Sequence, residues 1–254
     1  MEKGLLQEIS WVDAKEYFSK NDIAILPVGS TEQHGPHNPL GTDHLIAKAL
    51  AEEVARRTGV LCLPVIPFGV SSHHRQFWGT IFIQPRVFRE YVQEACLSLK
   101  YYGVKKILIV NGHGGNTSSL LEVARELREQ GVFVSVFQWW NATGELLPKI
   151  FSSDERGHAG SEETSINLFL HPKLVTMNKA LNEKPCDPIP KVSGLVGWGS
   201  DTIDHTNSGV FGDATAASVK KGKKAYEAAV NELTKHVEIL KGLKAKDLLS
   251  KPPV

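Results

Sequence analysis

Three short stretches of this chain gather histidines and carboxylates among glycines. Gly29-Ser-Thr-Glu32-Gln-His34-Gly-Pro-His37 runs on to Gly41-Thr-Asp43-His44. Asn111-Gly-His113-Gly-Gly-Asn116 is the second, and Gly157-His158-Ala-Gly-Ser-Glu162-Glu163-Thr-Ser the third. Carboxylate oxygens with imidazole nitrogens form a mixed donor set that suits zinc, manganese or ferrous iron. Glu32 and His34 are two residues apart, so an extended backbone points both side chains the same way. A carboxylate such as Asp43 can bridge two ions roughly 3.5–4 Å apart, the spacing that two-metal hydrolases use. Such an ion lowers the pKa of its water to about 7, which makes hydroxide available without a protein nucleophile. Each stretch alone has a plainer reading, as a tight turn or, for Asn116 and Thr117, as the cap of a following helix. Three such clusters, each with glycines that permit close approach, favour a metal site.

The elements that must position these residues alternate between strand and helix. Ile23–Val28 is an apolar run of the kind found in buried parallel strands, and Asp43–Arg57 carries apolar residues at helical spacing up to Gly59. A second strand is expected over Val60–Ile66, a helix over Val87–Tyr102, and a third strand over Lys106–Val110. A helix over Ser118–Gln130 and a strand over Val132–Phe137 follow. Each helix returns the chain for another parallel strand, which predicts one α/β domain, 1–254, with a mostly parallel sheet covered on both faces. The first and second clusters each sit directly after a strand, where the loops of an open parallel sheet line the ligand crevice. Glu162–Leu170 reads as a short helix and Pro185–Asp213 as ordered loop. Ala214–Leu240 reads as a long amphipathic helix.

Composition narrows the function classes. The net charge of +1 offers no general attraction for nucleic acid or an acidic membrane. No apolar run reaches the roughly 20 residues a membrane-crossing helix needs, and the first residues lack a signal-peptide core. Three scattered cysteines, Cys62, Cys96 and Cys186, fit reduced thiols, so the cytoplasm is the expected compartment. A dinucleotide loop is a weak reading, because Thr117 stands where the third glycine is needed and no acidic ribose ligand ends the next strand. A serine or cysteine hydrolase is excluded by the lack of a GxSxG elbow and of a cysteine in a polar, glycine-rich setting.

The same three motifs, in order, resemble the creatininase family, and the similarity runs from about Ile25 to Lys221. Gly79-Thr80, Gly209 and Phe211-Gly-Asp213 also resemble family positions. The resemblance implies a three-layer α/β/α hydrolase, often hexameric, with one or two divalent ions. It places Glu32, His34, Asp43 and His113 on metal ligands, Asp43 as the bridge. Glu163 falls on an acidic position at the centre, as ligand or proton acceptor, and His158 on the proton-transfer histidine. One departure stands out: Gly114-Gly115 replaces an aromatic and a metal-binding glutamate of creatininase itself, which argues against creatinine as substrate. Members with glycine there act on a formamide, an inositol-derived ring and a peptide.

The expected activity is therefore hydrolysis of a small cyclic amide, formamide or related C–N bond, on a small-molecule substrate. The alternatives are an inositol-derived cyclic ketone as substrate, or a non-catalytic metal-binding protein of the same fold. His73, Trp139 and Trp140 are candidates for the substrate wall; for the tryptophans, core packing is the competing reading. His74 reads as a surface residue, and His37 and His44 as supporting groups.

Overall fold

The computed structural model describes residues 4–142, 146–189, 193 and 198–249. Of the loop expected over 185–213, residues 190–192 and 194–197 lie outside the described residues, as do 1–3, 143–145 and 250–254 of the expected domain. The chain opens with helix α1 (Trp11–Lys20), strand β1 (Ile23–Val28), helix α2 (Thr42–Thr58) and strand β2 (Leu61–Cys62). Helix α3 (Pro85–Tyr101), strand β3 (Lys106–Asn111), helix α4 (Thr117–Glu129) and strand β4 (Phe133–Gln138) complete the repeating part. Short helices α5 (Trp139–Ala142) and α6 (Leu147–Ile150) lead to α7 (Ser161–Leu170) and the long α8 (Val219–Gly242).

The main sheet has the order β2-β1-β3-β4, and every pairing in it is parallel. Period-two alternation explains why β1 is apolar without interruption. Ile23 and Ile25 face one layer, where Leu50 and Val54 of α2 meet Val230 and Leu233 of α8. Ala24, Leu26 and Val28 face the other, against Phe88 and Val92 of α3 and Leu120 and Val123 of α4. With helices on both faces, every residue of the central strands β1 and β3 is buried whichever way it points. The α/β/α layering read from the sequence is what the chain forms.

Register carries this order to the site. Val28 pairs with Asn111, and Asn111 with Gln138, so β1, β3 and β4 end in line. The loops that follow them therefore emerge at one edge of the sheet.

Three expectations need correction. The strand foreseen over Val60–Ile66 stops at Cys62, because Pro64 and Pro67 have no N–H to give a ladder; only an isolated bridge, Val28 to Ile66, continues it. The last helix starts at Val219, not Ala214. Asp213 captures the Thr215 amide and closes a single 3-10 turn, and Ser218 then caps α8 by accepting from the Lys221 amide. Helix α1 was not foreseen; Ser10 and Asp13 form a reciprocal capping box that starts it. A two-stranded antiparallel clip, β5 (Asn182–Glu183) with β6 (Gly212–Asp213), ties down the ends of the loop before α8.

Candidate metal centre

Glu32 and His34 ride on the loop after β1, and His113 follows β3 by two residues. Asp43 lies in the first turn of α2, where the helix dipole favours a carboxylate. Gly112 presses against the backbone of Asp43 so closely that a Cβ there would collide with the Asp43 carbonyl. That contact seats His113 directly over Asp43. Glu163 comes from the first turn of α7, and His158 from the turn before it. The residue after His158, Ala159, takes a left-handed φ of 56°, and its amide donates to Glu163 Oε2 at 2.7 Å.

The side chains converge on Asp43. Its Oδ1 stands 3.1 Å from His34 Nε2, and its Oδ2 stands 3.1 Å from His113 Nδ1. Glu32 Oε2 is also 3.1 Å from His113 Nδ1, and Glu163 Oε2 is 3.6 Å from His34 Nε2. The other nitrogen of each histidine is committed elsewhere: His113 Nε2 to the Val70 carbonyl at 3.0 Å, His34 Nδ1 to the Glu32 carbonyl at 3.2 Å. A ring that donates outward in this way turns a lone pair inward, the tautomer a metal needs. Glu32 Oε1 and Oε2, His34 Nε2 and Asp43 Oδ2 are all buried with no hydrogen-bond partner. Buried polar atoms left in that condition are costly unless a cation satisfies them.

The electrostatics agree. Burial alone would lower His34, yet Asp43, Glu163 and Glu32 outweigh it and push the imidazole up to about 10. Burial likewise opposes protonation of His113, but Glu32 and Asp43 raise it well above the usual histidine range. Burial pushes the Glu163 carboxyl up to about 7, His34 opposing the rise and Asp43 adding to it. The pocket thus carries surplus negative charge that demands protons or cations. Among the described residues three groups meet the geometry of an ion site: Glu32, Asp43 and His113; His34, His158 and Glu163; and Glu32, His74 and His158. Oxygen and nitrogen donors of this mix fit a divalent ion such as zinc or manganese.

The site residues named from sequence all reach this place. His73, His113, His158, Glu163, Asp43, Trp139 and Trp140 line one cavity of about 490 Å³, with Glu32 and His34 buried beneath. His73 stacks on His113, ring centroids 5.7 Å apart and planes 11° from parallel. Trp139 is 1% exposed and part of the core, and it also borders the cavity. Of the paired glutamates, Glu162 turns away to accept from Arg156 Nε at 2.6 Å, which leaves Glu163 to face His34. His44 is structural, its Nδ1 on the Ser30 carbonyl at 2.9 Å.

His74 is the clearest miss. The surface reading fails: the side chain is buried, and its Nε2 stands 3.2 Å from Glu32 Oε1. Gln33 and Thr202, unremarked in the sequence, contact it from behind at 2.9 and 2.8 Å. A signal existed, since His73-His74 sits in a glycine- and serine-rich loop after the second strand, at the same sheet edge as the other clusters.

The creatininase family model, described as creatinine amidohydrolase, matches residues 7–237. A mycofactocin precursor peptide peptidase of Mycobacterium ulcerans (strain Agy99) is 32% identical over 222 residues, covering 84% of this chain and 83% of that protein. A 3-dehydro-scyllo-inosose hydrolase of Thermotoga maritima is 28% identical over 257 residues, covering 91% of this chain and 81% of its own. Among solved structures, a creatinine amidohydrolase (creatininase) aligns with a TM-score of 0.84 at 26% identity, covering 96% of this chain and all (100%) of that one. A structure described as creatininase Mn aligns at 0.83 with 24% identity, over 95% of this chain and 100% of the other. With the family match spanning nearly the whole chain and the same fold found in its solved members, this protein belongs to the creatininase family of hydrolases.

Proposed function

We propose that this chain is a metal-dependent amidohydrolase that cleaves a small cyclic amide, a formamide or a related C–N bond. The observation that carries it is Asp43, whose two oxygens each stand 3.1 Å from a different buried histidine nitrogen. Glu32, Asp43 and His113 would hold one divalent ion, and His34, Asp43 and Glu163 a second. A divalent ion bound there supplies an ionised water and a charge to polarise the carbonyl. Glu163, with its carboxyl near 7, is suited to take a proton and return it to the leaving nitrogen. His158 is held well below the usual histidine range by burial, with His34 and His74 adding to it, so it stays neutral and able to accept.

The cavity supports a substrate larger than a bare five-membered lactam. Nothing stands within 4 Å of where a Cβ of Gly114 would lie, so the glycine leaves its side open. Gly115, in contrast, has no room for a Cβ beside His113 and the Val70 carbonyl, so no side chain at 115 can join the centre without displacing them. Trp139, Trp140 and Phe211 provide apolar surface around the polar floor. A cyclic ketone is the second reading, favoured by the 28% identity to an inosose hydrolase over 91% of the chain.

The deciding experiment offers manganese- or zinc-loaded protein a panel of lactams, formamides, cyclic ketones and short peptides, with product detection. Release of an amine from lactams or formamides is the expected result. Turnover confined to ketones moves the assignment to the second reading, and turnover confined to peptides removes the cyclic-amide assignment. A single hydrolase domain over 1–254, working in the cytoplasm as a homo-oligomer, completes the proposal. Its supports are the match over 7–237 and the exposure of Trp78 (98%) and Trp11 (77%), apolar surface of the kind a second copy covers. Among the described residues no helix is long and apolar enough to cross a membrane.

A further inference from the structure

We infer that His74 is a positioning residue for Glu32, its proton placed on Nε2 by Gln33 and Thr202 so that it holds the outer carboxylate oxygen. The inference rests on the metal reading of the site. The orientation of Gln33 is set first: its Oε1 accepts the Gly35 amide at 2.9 Å, which turns Nε2 toward His74 and His158. The ring of His158 already donates from Nε2 to the Gln33 carbonyl at 2.9 Å. The two amide protons of Gln33 therefore go to the Gly209 carbonyl at 3.2 Å and to His74 Nδ1 at 2.9 Å.

Thr202 Oγ1 reaches the same nitrogen at 2.8 Å. With Nδ1 an acceptor, the ring proton of neutral His74 has to sit on Nε2, and Glu32 Oε1 is 3.2 Å away. The two groups stand at ion-pair distance with no aligned hydrogen bond to Oε1, so a donor on His74 Nε2 is the protein group placed to satisfy that oxygen. With Oε1 engaged by His74, Oε2, 3.1 Å from His113 Nδ1, is the oxygen left for the ion. One glutamine thus sets two rings: its side chain fixes His74 as a donor, and its backbone leaves His158 Nδ1, 3.8 Å from Glu32 Oε1, with a free lone pair. Of the residue groups that could enclose an ion, Glu32, His74 and His158 is the one this assignment removes, because a nitrogen that donates to Glu32 cannot also ligate.

The test is calorimetric titration of purified protein with manganese alone, together with metal analysis, on native chain, His74→Phe, His74→Gln and Thr202→Val. Phenylalanine keeps the ring that stacks on His158 at 4.4 Å but loses the donor. Manganese affinity is expected to fall about 10–100-fold in His74→Phe, as for other outer partners of metal ligands, and to return to within about fivefold of native in His74→Gln. Thr202→Val, nearly the same shape, should weaken binding about threefold, and it decides the matter if His74→Phe does not fold. Native affinity in His74→Phe, no recovery in His74→Gln, or an unchanged Thr202→Val overturns the inference while the metal reading stands. A native chain that takes up no ion overturns both.

Discussion

The two sides of Asp43 are built differently. On one, Glu32 and His113 come from loops that leave adjacent parallel strands, and both side chains are buried, with side-chain exposures of 0% and 5%. Their surroundings are locked by backbone contacts, among them His113 Nε2 on the Val70 carbonyl and Asn116 on the Gly29 carbonyl, each at 3.0 Å. On the other side, His34 meets Glu163, which arrives from α7 in the less regular last third of the chain. Glu163 is 15% exposed and His158 is 18% exposed. On the proposed reading, the sheet-end side would hold an ion permanently and the α7 side would move protons. Rigid strand ends hold geometry; a helix start bordering the cavity can admit substrate.

Removing a sheet-end group should do the greatest damage. His113→Ala is expected to lose bound metal and to reduce turnover at least about a hundredfold, the upper end of what even outer partners cost, with the fold retained. Metal analysis and circular dichroism check it; native metal content in that variant would end the assignment of the rigid side. Glu163→Gln sharpens the comparison. It should keep one ion per chain on the Glu32 side while turnover drops about a hundredfold, in the range for a lost acid–base group. Loss of both ions instead would show that the two sides are one unit.

The smallest effect concerns protons. His34 is raised to about 10 with no metal present, so its proton is bound throughout the neutral range and is lost only as pH rises toward that value. An entering divalent ion must displace it, and affinity at the α7 side should rise by up to about tenfold per pH unit between pH 6 and 8. Titrations in buffers of different ionisation heat measure the protons released; identical heats in all of them would contradict the raised value.

Much of this was legible from local pattern. Unbroken apolar runs at Ile23–Val28 and Ile107–Val110 announce strands buried on both faces, and helices between them compel parallel pairing. Glu32, His34, Asp43 and His113 announce themselves by type, by glycine neighbours and by place after strands or at a helix start. Less was legible where a side chain competes with backbone periodicity. Ser218 and Asp213 moved the start of α8, and the two prolines cut β2 short, because a single cap or a missing N–H outweighs the propensity of its neighbours.

By itself the sequence determined which atoms are available: the carboxylates, the imidazoles, and the glycines that let backbone pass close. Only the tertiary structure decided which nitrogen of each ring faces inward, that Glu163 and not Glu162 meets His34, and that His74 belongs beneath the site. The reason is physical. A residue's type and its strand or helix position follow from near neighbours, whereas proton placement and facing depend mostly on partners far along the chain: Val70 is 43 residues from His113, Thr202 128 from His74 and Gly209 176 from Gln33. Arg156, six residues from Glu162, is the near exception.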